Sequence, residues 1–244
     1  MRKNTFNRSL TIYLAYFIGA LLGDGSLPEI KYRTGQYPIQ FEVIDQDLVD
    51  NINECFEKIV ERRAYVYTKE PNKIGKRQTF FMRILNKAFY QYLEEITAYK
   101  KLIPEMIMGS ENKEIVSNFI AGIMDTDGFI TKAMDNRNLK NNRKWQMTMG
   151  INNTESWLFQ LRWLLQRWGV MISGLKNEGI QGLGNKDRWR ITINKESFIK
   201  SGFFFKNKRK QDRLNFYKEW LKNHSILRDY TLNAKGDDIV QLQK

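Results

Sequence analysis

Two stretches dominate the apolar pattern of the chain. From Leu10 to Asp24 the residues are apolar nearly all round, as in a helix buried on every side. The pattern returns at Phe119–Gly128, read as the last turns of a helix that starts near residue 111 and ends in carboxylates and a glycine. Ser9 or Thr11 can cap the first of these helices, and Gly25 suits the left-handed residue that closes it. Between them the period changes. A strand is predicted over 26–34, with no clear parity. In Pro38–Ile44, Ile39, Phe41 and Val43 lie on one face of a strand, with Gln40 and Glu42 on the other. Asp45 or Asp47 then caps a helix whose apolar stripe is Leu48, Val49, Ile52, Cys55, Phe56 and Ile59. Strands over 63–69 and 77–85 flank a basic loop (Lys73, Lys76, Arg77), and a helix over 86–97 follows.

The second half repeats this order. Strands are predicted near 129–135 and 144–151, joined by a basic, Asn-rich hairpin with Arg137, Lys140, Arg143 and Lys144. Thr154 can cap a helix whose buried face is Trp157, Leu158, Leu161, Leu164, Leu165 and Trp168, six positions 109 residues beyond the six of the first half. Strands near 169–176 and 188–194 complete the set. Asn194-Lys195 follows Asn86-Lys87 by 108 residues, and Asp127 follows Asp24 by 103. Three segments agreeing on nearly one offset indicate an internal duplication. Each half reads helix, two strands, helix, two strands, helix. We expect an α+β protein with one unit over 1–103, a second over 104–223, and a polar tail over 224–244 with little structure; Lys100–Pro104 forms the break between the halves.

Composition narrows the chemistry. The chain has 244 residues, 42% hydrophobic and 13% aromatic, enough for a packed core. Trp157, Trp163, Trp168, Phe198 and Phe203–Phe205 are read as part of it. Forty Lys and Arg against 27 Asp and Glu leave +13, which favours a polyanionic partner such as nucleic acid. One cysteine, Cys55, and one histidine, His224, exclude a disulfide framework, a zinc finger and a multi-histidine nuclease, and fit a reducing intracellular compartment. Any metal is therefore held by oxygen, and Mg²⁺ is the natural candidate. Arg2, Lys3 and Arg8 before the first apolar run resemble a secretory signal peptide. The run is short for a membrane span, and its internal recurrence favours a structural helix.

Each apolar helix carries small residues four apart, Gly19/Gly23 and Gly122/Thr126. Such residues share one helix face and let two backbones approach closely. If the stripes pack together, Asp24 and Asp127 emerge side by side. A carboxylate at a helix C-terminus meets the negative end of the dipole, and two of them repel. In so basic a chain, that arrangement calls for a cation.

The stretches Phe17–Gly25 and Phe119–Gly128 resemble the paired motifs of the LAGLIDADG homing endonucleases, the single-chain, two-motif type. The second copy matches position by position in character; in the first, Leu22 stands where the family has an acidic residue, while Asp24 and Gly25 are kept. The resemblance implies the homing-endonuclease fold, two pseudo-two-fold-related αββαββα halves whose antiparallel sheets form a saddle over double-stranded DNA. It implies a monomer that makes a double-strand break in a long site by Mg²⁺-dependent hydrolysis, with two or three divalent ions, and that promotes mobility of its intron or gene. Asp24 and Asp127 would be the metal ligands. A polar residue ending the second strand of each half would orient water: Asp45, or Glu42, in the first half and Asn152, or Asn153, in the second. A basic residue beyond the fourth strand would be Lys208 in the run Lys206–Lys210 and Lys100 in the first half, with register slips to Arg209 or Lys101. Sequence reading would fall to Lys31, Arg33, Gln40, Glu42, Lys69, Arg83, Lys132, Arg188 and Arg190. The alternative is an RNA-binding maturase or a non-catalytic DNA-binding protein of the same fold; no membrane role is expected.

Overall fold

A computed structural model describes residues 6–28, 37–70, 78–134, 145–153, 156–180 and 187–234. The first half runs α1 (Ile12–Leu22), β1 (Gly25–Ser26), β2 (Pro38–Val43), α2 (Gln46–Val60), β3 (Tyr65–Lys69), β4 (Thr79–Leu85) and α3 (Lys87–Ile96). After the short α4 (Glu105–Met108), the second half runs α5 (Lys113–Thr126), β5 (Gly128–Met134), β6 (Trp145–Asn153), α6 (Trp157–Arg167), β7 (Ile172–Ile180), β8 (Asp187–Ile193), α7 (Lys195–Lys200) and α8 (Lys208–Ala234). Two antiparallel four-stranded sheets result, ordered β1-β2-β4-β3 and β5-β6-β8-β7.

The local chemistry explains the boundaries. The Thr11 hydroxyl accepts from the Leu14 amide and starts α1. Asn86, Asn112 and Asn194 cap α3, α5 and α7 in the same way. Helices α2 and α6 bury the apolar stripes the sequence marks, and only Trp168 of the twelve positions stays partly open. Each sheet turns one face inward. On the first, Ile39, Phe41, Val43, Met82 and Ile84 are buried; on the second, Ile130, Met149, Ile151, Ile191 and Ile193. Helix α1 is buried on nearly every side because it lies between the two halves against α5.

Several expectations change. Gly25 does not take the left-handed conformation. A Cβ there would lie 2.7 Å from Leu21 Cα, and one at Gly128 2.5 Å from the Met124 oxygen. Both glycines are needed because the chain doubles back from helix into strand against its own last turn. The strand expected over 26–34 is described only at Gly25–Ser26; residues 29–36, the basic loop at 71–77, the Asn-rich hairpin at 135–144 and Thr154 lie outside the described residues. Trp163 is 55% exposed on α6, with the Arg167 guanidinium against its ring. The tail is not unstructured from 224: α8 continues to Ala234, since no Gly or Pro interrupts 208–234. Among the described residues no helix is long and apolar enough to cross a membrane.

Candidate active site at the paired helix ends

Helices α1 and α5 meet main chain to main chain. A Cβ on Gly19 would lie 2.2 Å from the Phe119 oxygen, and one on Gly122 2.2 Å from the Tyr16 oxygen. Further along, a Cβ on Gly23 would overlap Thr126 Oγ1 at 2.0 Å and sit 3.4 Å from the Asp127 nitrogen. The small-residue stripes therefore face each other, and both helices end together, with Asp24 just past α1 and Asp127 at the end of α5.

The carboxylates feel each other. Burial pushes Asp127 up to about 7, and the charge on Asp24 adds to the rise. Asp24 retains accessible surface yet is crowded by protein, and desolvation raises its carboxyl above the ordinary range against the pull of Lys210 and then Lys100. The carboxyl sits at a junction of two helix ends that already present carbonyl oxygens, which disfavours its charged form.

Two lysines hold those helix ends. Lys210 is buried and donates to the main-chain oxygens of Met124 (2.8 Å), Asp125 (2.7 Å), Thr126 (3.1 Å) and Gly128 (2.6 Å). Burial lowers its pKa to about 8. Lys100 does the matching work on α1, donating to Gly23 O (3.1 Å) and Gly25 O. It sits in a turn where Ala98, Tyr99 and Lys100 have φ of 44°, 56° and 66°, a left-handed run of non-glycine residues. Each such residue costs on the order of 1 kcal/mol, so the surroundings hold this turn against strain; the Thr97 hydroxyl, accepting from the Lys100 amide at 3.1 Å, is one such restraint.

The partner of Lys100 is thus Lys210 and not Lys208. Lys208 is exposed: its Nζ pairs with Asp212 at 2.7 Å, and its amide donates to Asp47. Arg209 pairs with Asp45 at 2.8 Å, and Lys101 is exposed. Asp45 stands at the start of α2 but makes no capping bond; it accepts from Asn207 and Arg209, and despite partial burial these bonds hold its carboxyl below the ordinary range. It ties α2 to α8 across the halves and is not directed to Asp24 by any hydrogen bond.

The polar strand end also falls one residue from the first choice. Asn153 Nδ2 donates to Asp127 Oδ2, whereas Asn152 Oδ1 accepts from Arg190 Nε at 3.2 Å on the opposite side of β6. Pairing registers show what stands at this place in the first half. Gly25 faces Phe41 as Gly128 faces Ile151, so Val43 is the counterpart of Asn153. Val43 is buried. Asp127 has an amide partner from its strand, and the equivalent position beside Asp24 is apolar.

The bared faces of the sheets carry several of the remaining candidates. Gln40, Glu42 and Arg83 share one face, with Glu42 held by Lys69 at 3.2 Å and by Thr79 at 3.1 Å. Arg188 and Arg190 share the corresponding face of β8, where Arg190 pairs with Glu178 at 2.7 Å and lies against the Phe129 ring. Lys132 lies on β5 opposite Met147. Lys31 and Arg33 lie outside the described residues.

Sequence reasoning also missed Asp125, the next-to-last residue of α5. It is buried, accepts from the Tyr16 hydroxyl at 2.8 Å and the Lys206 amide at 3.1 Å, and burial raises it to about 6. This bond crosses between the halves. Its counterpart in the first motif is Leu22, so the irregularity visible in the sequence marks a lock present on one side only.

The architecture is that of the LAGLIDADG homing-endonuclease fold: mixed helices and two antiparallel four-stranded sheets built on paired motif helices. Among solved structures, the chain resembles I-WcaI bound to its DNA recognition sequence, with 19% identity over 84% of this chain and 88% of that one at a TM-score of 0.53. It also resembles a variant of I-DmoI in complex with its target DNA in the presence of manganese, with 18% identity over 78% and 91% at 0.53. A third likeness is I-DmoI in complex with DNA and calcium, with 16% identity over 78% and 87% at 0.52. No family model matches the chain, and no curated protein does.

Proposed function

We propose that this protein is a site-specific DNA endonuclease that hydrolyses both strands of a duplex with divalent cations, Mg²⁺ being the physiological choice, and that it acts as a homing endonuclease for its intron or gene. The observation carrying this reading is the meeting of Asp24 and Asp127 at the ends of two backbone-packed helices, each beside a sheet with an open polar face. A structural role alone does not account for two mutually repelling carboxylates placed against carbonyl-rich helix ends.

The donor set fits hard cations. Carboxylate and main-chain oxygens surround the junction, and among the described residues no cluster of three or more His, Cys, Asp or Glu is gathered there. Asp24 and Asp127 would hold the ions, leaving the remaining positions to DNA phosphates and water. Bound there, divalent ions supply charge neutralisation at the scissile phosphate and acidify the attacking water. The protein supplies the geometry. Lys100 and Lys210 fix the helix ends from which the two aspartates project, and Asn153 orients the Asp127 carboxylate. Arginines and lysines on the open faces would contact phosphates and base edges. One chain carries both centres, so a monomer suffices.

The test is a cleavage selection from a randomised duplex library in Mg²⁺, followed by Asp24→Asn and Asp127→Asn on the recovered target. Each variant is expected to bind the target and fail to break both strands. Full Mg²⁺-dependent cutting by either one would remove that residue from the site. Because Asp24 lacks a counterpart of Asn153, we expect Asn153→Ala to slow one strand only, seen as an accumulated nicked plasmid.

A further inference from the structure

The two open faces differ at one symmetry-related position beside the second strand of each sheet. Glu42 faces Phe81 on β4 as Asn152 faces Arg190 on β8, and Phe81 in turn faces Tyr67 on β3 as Arg190 faces Lys176 on β7. The pair Phe81/Tyr67 therefore occupies, in the first sheet, the place that the cationic pair Arg190/Lys176 occupies in the second. The two rings pack with centroids 5.0 Å apart. Tyr67 is nevertheless 54% exposed, and Tyr65, two residues along the same face and opposite Arg83, is 70% exposed. Two exposed tyrosines and a phenylalanine on a sheet face with Lys69 and Arg83 form an apolar patch with a cationic edge. Surfaces of this kind mark a contact site.

Resting on the endonuclease reading, we propose that Tyr67 and Phe81, flanked by Tyr65, form a thymine-reading subsite in the first half of the target. The chemistry follows from the major groove. A thymine presents a 5-methyl group there, which apolar side chains contact, whereas guanine presents two acceptors suited to a guanidinium. An aromatic pair offers no ionised donor to guanine and no carboxylate to cytosine, so the methyl is what it distinguishes. The occupant is duplex DNA and not a protein partner because the patch is continuous with Gln40, Glu42 and Arg83 on one face. That face starts at Ser26, opposite Gln40 and two residues from Asp24. The chain's charge of +13 supplies the attraction.

The experiment uses the full chain and the target recovered by selection. Thymines in the first half-site are replaced singly by deoxyuridine, which removes only the methyl, and binding is measured in Ca²⁺. Loss of a buried methyl should weaken wild-type binding about fourfold at one or two positions. Tyr67→Ala should bind thymine and deoxyuridine targets equally there, while second-half substitutions affect both proteins alike. Methyl-insensitive binding throughout the first half, or unchanged sensitivity in Tyr67→Ala, overturns the subsite and leaves the endonuclease reading standing. If selection recovers no cleaved duplex, both readings fall.

Discussion

Replacing Asp127 by asparagine should stabilise the metal-free protein while destroying its proposed activity. The folded carboxyl titrates at about 7 and the ordinary value is 3.8. The folded state thus holds its proton longer than the unfolded chain does. Stability is fully present below about pH 4, falls as pH rises towards 7, and is flat above. The full interval is worth roughly 4 kcal/mol, and solvent screening at this partly exposed site reduces it to about 2 kcal/mol. Asparagine is nearly isosteric, and its oxygen can still accept from Asn153. The assay is thermal unfolding of both proteins from pH 4 to 8 in EDTA. At pH 8 the variant should melt roughly 4–8 °C higher than wild type, and the curves should converge near pH 4. Adding Ca²⁺ should raise the wild-type midpoint and leave the variant nearly unmoved. A variant no more stable than wild type at pH 8, or a wild-type advantage that grows from pH 5 to 8 without metal, would refute the electrostatic argument.

Two further perturbations test the support beneath the site. Gly122→Ala puts a methyl 2.2 Å from the Tyr16 oxygen; the helices must separate, and denaturant unfolding should show a loss of about 3 kcal/mol or more. Lys210→Met strands four main-chain oxygens in the interior and should cost about 3 kcal/mol by the same measurement, whereas Lys208→Ala should leave the melting curve unchanged.

Where apolar periodicity acts directly, the sequence is a good guide to the structure. The stripes of α2 and α6, the alternation of β2 and the Gly19/Gly122 crossing all follow from burial and steric fit, which leave marks at fixed spacing. Positions fixed by long-range contacts are less legible. A constant offset of 108 between the halves carries Lys100 to Lys208, but α3 has ten residues and α7 six, and the segment that follows is longer in the second half. No offset survives that change, so Lys210 is found only through the carbonyls it touches. A strand predicted to end at residue 151 gives Asn152 and Asn153 no phase, whereas β6 runs to Asn153 and places it two residues beyond the inward Ile151. Leu22 marks the asymmetry between the motifs but not the lock itself, because Tyr16 and Lys206 reach Asp125 from remote parts of the chain.

The meeting of Gly19 and Gly122 has a consequence for how such a protein can change. Because bare main chain sets the distance between the two aspartates, that distance does not depend on which side chains decorate the sheets. On the proposed reading, substitutions at Tyr67 or Phe81 would retune the preferred target without moving the two carboxylates. The molecule separates a fixed ruler from a replaceable vocabulary. A change of glycine at the crossing alters the ruler, and no adjustment of the strands can restore it.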